Sequence, residues 1–501
     1  MESQIINPLN LSLSKEQLAM LMPYFVISFG AMITLLGGVF SKTKSNLTAM
    51  VMCLITLAAT LASISKIWGE PAMMLFNNML AADYYASLFN CIFVIATALV
   101  AISSYSYLEK EGIHHFEFYS LLLFSCFGMM LFASSQDLIT LFVALEIMSI
   151  AVYVLVGFRR TDVRSNEAAV KYFILGSVAS AILLYGVALV YGASGSMNLQ
   201  RIAEFAKNLQ QMNAFFVLGA TLIVAGFLFK VASVPFHMWM PDVYEGAPTT
   251  VTSFMTTGLK AAVFAGLLRV ILGLGYSANW ETYFNQGIHN VLWVASVATM
   301  FVGNIVALTQ KNLKRMLAYS SIAHTGYILV GILSLGKSEY AFSAVVLYLV
   351  GYVVMNLGAF ALISMISQKG DKLTDVEDLA GFGFKYPLLG VAMSIFVFSM
   401  AGVPPTVGFI GKYMIFSAAV QAGEIWLSVL AVLCSAISAY YYLRVVVVMY
   451  MKEQVKGAPN VEKNFVLSAS VVIGLAAIAT LHFGVFPNLL IQAAKKAIFN
   501  A

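Results

Sequence analysis

The chain has 501 residues, of which 60% are hydrophobic and 10% charged, with a mean hydropathy of +0.87. A soluble domain of average composition carries roughly 25% charged residues, so 28 basic and 23 acidic side chains cannot clothe a water-facing surface of this length. A soluble enzyme, a disordered chain, a disulfide-rich secreted module and a nucleic-acid binder are thereby excluded, and the net charge of +5 reflects topology rather than a basic patch.

The fold class expected is an all-α polytopic membrane protein, because apolar runs near 20 residues match a hydrocarbon core about 30 Å thick. The first 20 residues carry Glu2, Lys15 and Glu16 without a continuous apolar core, so no cleavable signal peptide is expected and the first span directs insertion. Fourteen spans are predicted, near 21–40, 47–66, 87–105, 118–134, 138–157, 172–192, 214–235, 251–275, 291–309, 316–335, 341–366, 386–420, 425–449 and 465–486. Two of them contain breaks, at Ser233-Val234-Pro235-Phe236 and at Gly402-Val403-Pro404-Pro405. Proline removes a donor and clashes with the preceding turn. In lipid such a break survives only where protein or a watery cavity satisfies the freed backbone. Cys53, Cys91, Cys126 and Cys434 each sit in an apolar run with no metal-ligand spacing, so they read as small core residues and no metal is expected.

With the amino terminus outside, 16 basic residues fall in inner loops and 7 in outer segments, which by the positive-inside rule places both termini outside. The other five, Lys230, Lys260, Arg269, Lys412 and Arg444, lie within spans. Spans four to eight (118–275) and nine to thirteen (291–449) have nearly equal length and break at corresponding places. Five is an odd number, so the second block is expected to be inverted, an arrangement that puts function near the midplane at the breaks. The expected divisions are a three-helix segment (1–117), the two five-helix repeats, and a terminal helix with tail (450–501).

Glu146, in LITLFVALEIMSIAVYVLVGF, is the only carboxylate deep in any span. An ionised group there costs about 2.5–3.5 kcal/mol on insertion scales, which favours a proton-handling carboxylate over a packing partner. Lys230 lies five residues before Pro235, Lys260 is deep in the eighth span, and Lys412 follows Pro404 by eight residues. All three are too deep for easy snorkelling. Burial and a nearby carboxylate push a lysine's proton affinity in opposite directions, so a lysine beside a movable carboxylate can be switched. His324, in YSSIAHTGYILVG, reads equally as a satisfied core group or as a proton station among Ser320, Ser321 and Thr325. Arg269 and Arg444 lie nearer span ends and are expected to snorkel, while Asp242 and Glu245 are expected in a solvated loop after the first break. One carboxylate among three lysines suits protons and repels metal cations; no Walker loop, dinucleotide fingerprint or paired haem histidine is present.

The stretches LEIMSIAVYVLVGFRRTDVRSNEAAVKYFILGS and FKVASVPFHMWMPDVYEGAPTTVTSFMTTGLKAAVFA resemble the antiporter-like membrane subunits of respiratory complex I and their relatives in Mrp antiporters, and look most like the N-type members. The resemblance implies a proton channel driven by redox chemistry elsewhere, with a fifth-span Glu146 paired to a seventh-span Lys230, a central Lys260, a twelfth-span Lys412 on the broken helix and, more weakly, His324. It implies NADH, FMN, iron–sulfur clusters and quinone in partner subunits and none in this chain. It also implies adjacent M-type and K-type membrane subunits and a bacterial inner-membrane location with periplasmic termini. An Mrp-type sodium/proton antiporter subunit is the alternative, and a structural scaffold a third reading.

Overall fold

The computed structural model describes residues 14–40, 45–208, 213–273, 283–453 and 466–499. The expectations for Glu2, Lys42, Lys44, Lys456 and Lys463, and the repeat boundary at 275, lie outside them. The chain begins with α1 (Lys15–Phe40) and α2 (Asn46–Lys66), then a small antiparallel hairpin of β1 (Met73–Leu75) and β2 (Leu80–Ala82). The spans α3 (Tyr84–Glu111), α4 (Phe116–Ser134), α5 (Leu138–Val156) and α6 (Val163–Ser194) follow, with a short α7 (Leu199–Lys207). Asp83, Asp137 and Asp162 accept backbone hydrogen bonds as N-caps of α3, α5 and α6, which is why those helices start where they do.

The seventh span, α8 (Ala214–Lys230), stops at Lys230. A turn containing Val234-Pro235 leads to the short α9 (Trp239–Gly246), and α10 (Thr249–Phe254) then passes through a single π-turn (Met255–Leu259) into α11 (Lys260–Gly273). Asp242 and Glu245 therefore stand on a helix rather than in the loose loop the sequence suggested. Arg315 pairs with both, and Lys171 with Asp242, around a cleft of about 190 Å³.

The remaining spans are α12 (Tyr283–Thr309), α13 (Leu313–Leu333), α14 (Ala341–Ile366), α18 (Ile425–Met451) and α19 (Val466–Val485). Between α14 and α18 come a short 3₁₀ turn, α15 (Phe382–Lys385), and the interrupted twelfth span, α16 (Pro387–Ala401) with α17 (Val407–Gln421). An unpredicted α20 (Asn488–Phe499) closes the described chain and packs on α3 and α14. Among the described residues twelve helices are long and apolar enough to cross a membrane; α8 and the α16–α17 pair complete the fourteen predicted spans. The chain is thus a multi-pass membrane protein.

Burial sorts the spans. The most apolar window of the α10–α11 span, of α13 and of α14 is 94% buried in each case, against 33% for α2 and α19. These three spans are the axis, and they carry Lys260 and His324. Glycine allows the closest approach: a Cβ on Gly219 of α8 would lie 2.8 Å from the Gly186 carbonyl of α6. Two ion pairs brace the span ends. Arg269 is not a snorkelling side chain: it forms a two-pronged bond with Asp83 at 2.9 and 3.0 Å, lies 4.4 Å from the Tyr85 ring and is 6% exposed. The α3 cap carboxylate reaches it before solvent does. Arg444, in contrast, is part-exposed and reaches Glu377 and the Gln310 carbonyl.

At the opposite end from Asp83, Asp371 gathers five chain segments. It accepts from Tyr107 (3.0 Å), Thr249 (2.8 Å) and Lys314 (3.2 Å) and pairs with Arg159 (3.1 Å), while Lys314 and Arg159 also bond the Ala247 and Gly246 carbonyls that end α9. Burial pushes the Asp371 carboxyl up, but Lys314 and Arg159 outweigh it and hold it at about 2. A depressed carboxyl stabilises the fold above its unfolded value and loses that contribution only as pH falls through about 2. Two outcomes are expected. Asp371→Asn leaves the buried Lys314 ammonium without its paired carboxylate and removes one of three carboxylates beside Arg159, and it lowers stability by about 3–5 kcal/mol near neutral pH, with no pH dependence from this group between about 5 and 9, read as the melting of the purified protein. Gly219→Val drives α6 from α8 and lowers the melting temperature, whereas the same change at Gly192, where a Cβ meets no heavy atom within 4 Å, does not.

Candidate functional site

Of the ionisable residues within the spans, His324 stands on α13, Lys260 and Lys412 on helices that contact it, and Glu146 and Lys230 on α5 and α8 beside the first break. Lys230 is the last residue of α8, so the break after it leaves carbonyls without intrahelical partners. Thr325 of α13 donates to one of them, Val231 O, at 2.9 Å, and the Trp239 indole donates to Phe229 O at 3.0 Å. The lysine ammonium turns toward α5, donating to Ser149 Oγ (3.3 Å) and Tyr153 Oη (3.2 Å). Glu146, one turn before Ser149, accepts instead from Ser180 of α6 at 2.5 Å. The structure therefore brings Glu146 and Lys230 to one face of α5 without joining them in a direct ion pair; the carboxylate is within electrostatic reach of the ammonium. Glu146 is half-buried while Lys230 is 7% exposed.

Lys260 begins α11 where the π-turn ends, a local widening that re-aims the side chains after it. Its ammonium donates to Ser321 O (2.5 Å) and Ser321 Oγ (2.7 Å) on α13, and Tyr352 of α14 donates to the same hydroxyl at 2.7 Å. One turn on, His324 is 1% exposed and fully partnered: Nδ1 meets Tyr348 Oη at 2.5 Å and Nε2 meets Tyr442 Oη at 3.1 Å. Tyr442 in turn shares a hydrogen bond with Ser320. His324 is thus a satisfied core histidine whose partners are tyrosine hydroxyls.

Lys412 occupies the second break. Its ammonium donates to the last two carbonyls of α16, Met400 O and Ala401 O, both at 2.9 Å, and to Ser435 Oγ at 2.8 Å. This is a cation on the negative end of a half-helix, where both orphan carbonyls and the helix dipole favour it. Gly402 follows with φ +92, and a Cβ there would stand 3.1 Å from the lysine Cδ, so the seat needs glycine twice over. Lys412 also lies 5.0 Å from the Tyr327 ring, and Tyr327, Asn304 and Tyr441 form the hydrogen-bonded link beyond it.

A pattern that sequence reasoning missed now emerges. Each of these three lysines lies near one tyrosine ring: Lys230 at 5.7 Å from Tyr153, Lys260 at 5.2 Å from Tyr352 and Lys412 at 5.0 Å from Tyr327. With 24 tyrosines in the chain, nothing in the local sequence marks these three. Along α13, Ser320, Ser321, His324, Thr325 and Tyr327 contact partners on α11, α12, α14, α17 and α18 and at the end of α8, so one helix touches the first break, the central lysine and the second break. Among the described residues no group of three or more His, Cys, Asp or Glu could hold a metal ion.

Comparison with known proteins places this arrangement in a lineage. Residues 135–438 match the family model described as NADH:quinone oxidoreductase/Mrp antiporter, TM. A curated relative from Trichlorobacter lovleyi, NADH-quinone oxidoreductase subunit N, is 43% identical over 488 residues, covering 96% of this chain and 97% of its own. Among solved structures, a chain of respiratory complex I from Thermus thermophilus with bound aureothin superposes with a TM-score of 0.78 at 34% identity, over 94% of this chain and 99% of that one. A chain of the Mrp complex from Dietzia sp. DQ12-45-1b reaches a TM-score of 0.82 at 21% identity, over 97% and 98%, and shares the fold. The family-model match over more than half of the chain and the 43% identity along nearly its whole length show that this protein belongs to the NADH:quinone oxidoreductase/Mrp antiporter family of membrane subunits.

Proposed function

We propose that this chain is the proton-translocating N-type membrane subunit of a bacterial NADH:quinone oxidoreductase, acting as a translocase without a redox centre of its own. NADH, FMN, iron–sulfur clusters and quinone belong in this reading to partner subunits, with M-type and K-type membrane subunits alongside, in the inner membrane with both termini periplasmic. The two five-span blocks act as inverted repeats, one break to each. The observation that supports the reading is the series of buried amines, Lys230, Lys260 and Lys412, each held by oxygen atoms, with α13 between the two breaks presenting Ser321 to Lys260 and His324 to two tyrosine hydroxyls.

Side chains that ionise are the only groups here able to carry a proton through hydrocarbon, and hydroxyls between them can pass it on. Rearrangement at Glu146 and Lys230, driven by quinone chemistry in the neighbouring subunits, changes which group holds the proton. It then passes by Lys260 and the His324 tyrosines to Lys412 and outward. Moving one charge against 100 mV costs about 2.3 kcal/mol, and a change of two in a lysine pKa supplies about 2.7 kcal/mol, so modest tuning matches the task. The Mrp-type reading shares the fold, but the full-length curated relatives carry the subunit N name.

In assembled complex reconstituted into vesicles, Lys260→Ala and Lys230→Ala are each expected to cut NADH-driven proton uptake by roughly tenfold or more. Electron transfer from NADH to a soluble artificial acceptor stays intact. Full pumping by correctly assembled variants would refute the relay, and sodium-dependent exchange without NADH would point to the antiporter instead.

A further inference from the structure

Lys230 has a second seat. Its ammonium is bound not at Glu146 but one and two turns further along α5, by Ser149 Oγ at 3.3 Å and Tyr153 Oη at 3.2 Å. Residues 146, 149 and 153 follow helical spacing, so the carboxylate, the serine and the tyrosine form one stripe of oxygens. Glu146 sits roughly 10 Å of helix rise from Tyr153 with Ser149 between them, and a lysine's four-carbon arm spans such steps.

The tyrosine end of the stripe is built for the purpose. A Cβ on residue 176 of α6 would lie 2.3 Å from the Tyr153 hydroxyl, so only glycine leaves room for that oxygen. The conformation of Gly176 is ordinary helix, and its lack of a side chain serves space alone. The Tyr153 ring is held edge-on by Tyr172 (4.7 Å, 84°), which stacks on Trp239 (4.7 Å, 17°). The same indole bonds the carbonyl of Phe229, the residue before Lys230. Ring and lysine backbone are therefore braced by one aromatic stack, while Glu146 is kept at its own end by Ser180, one turn from Gly176 on α6.

We propose that Tyr153, with Ser149, is a positioning residue that competes with Glu146 for the Lys230 ammonium, so that Lys230 works as a two-position arm. The two seats differ in kind: Glu146 offers a counter-charge, whereas Tyr153 and Ser149 offer dipoles and a ring face. Moving between them changes the electrostatic company of the amine without unsatisfying it. This inference rests on the relay proposed above and adds to it a resting place for the open state.

The test uses the assembled complex in vesicles. Tyr153→Phe removes one partner of the second seat and is expected to slow NADH-driven proton uptake by about tenfold, the factor of one lost hydrogen bond to a charged group. Ser149→Ala slows it less, and Ser149→Thr restores it. The decisive measurement is Glu146→Asp in the Tyr153→Phe background. A shorter carboxylate loosens the other seat, so the double variant pumps faster than Tyr153→Phe alone. If the two losses simply multiply, Tyr153 is structural and the second seat is refuted; unchanged pumping in Tyr153→Phe refutes it equally. If Lys230→Ala also pumps normally, the relay itself has failed, which separates the two ideas.

Discussion

An ammonium ion inside hydrocarbon persists only where oxygen atoms replace its water. The penalty for an unpartnered charge is several kcal/mol or more, so the placement of free oxygens decides where lysines can be. A continuous helix has few to offer, because each carbonyl already serves its own ladder; Lys260 shares one, Ser321 O, with α13. Interrupting a helix frees several. Lys412 uses this directly, sitting on the last carbonyls of α16, and the Gly402 turn exists to end that half-helix and to leave room for the lysine stem. At the first break the freed carbonyls go to Thr325 and Trp239, and Lys230 is turned outward onto hydroxyls of α5. The two breaks thus solve the same problem with different partners, which makes Lys230 the more movable of the two.

The central helix α13 connects these solutions. It is almost wholly buried, yet it presents serine, histidine, threonine and tyrosine side chains to four neighbouring helices. A buried polar network is stable only when every member finds a partner, and the His324 ring, bonded at both nitrogens, meets that condition. The bonding of Ser321 to Lys260 and Tyr352 places a hydroxyl where two helices of one block meet the other. Such a network holds side chains in definite positions and supplies alternative partners when one of them moves.

The charged residues that take no part in this axis act at its ends. Asp371 draws Arg159 and Lys314 to the carbonyls that finish α9, so the short helix after the first break is fixed at its inner end. Asp83 and Arg269 lock α3 to α11 at the other. These pairs are rigid where the Glu146–Lys230 region is loosely bonded. The contrast lets local motion occur at the break without loosening the bundle.

Much of this could be read in the residues alone. Apolar runs of helical length are a local property, so the spans, both prolyl breaks and the deep positions of Glu146, Lys230, Lys260, Lys412 and His324 followed from composition and order. Charged groups within such runs are costly wherever they end up, which is why they stood out. Partners were a different matter. That Arg269 meets Asp83 rather than solvent, that Glu146 holds Ser180 while Lys230 holds Tyr153, and that Tyr153, Tyr352 and Tyr327 stand beside Lys230, Lys260 and Lys412 depend on which helices become neighbours. Residues 34 to 186 positions apart are brought together by packing, and hydrogen bonds reach only about 3 Å, so no pattern along the chain could have assigned them.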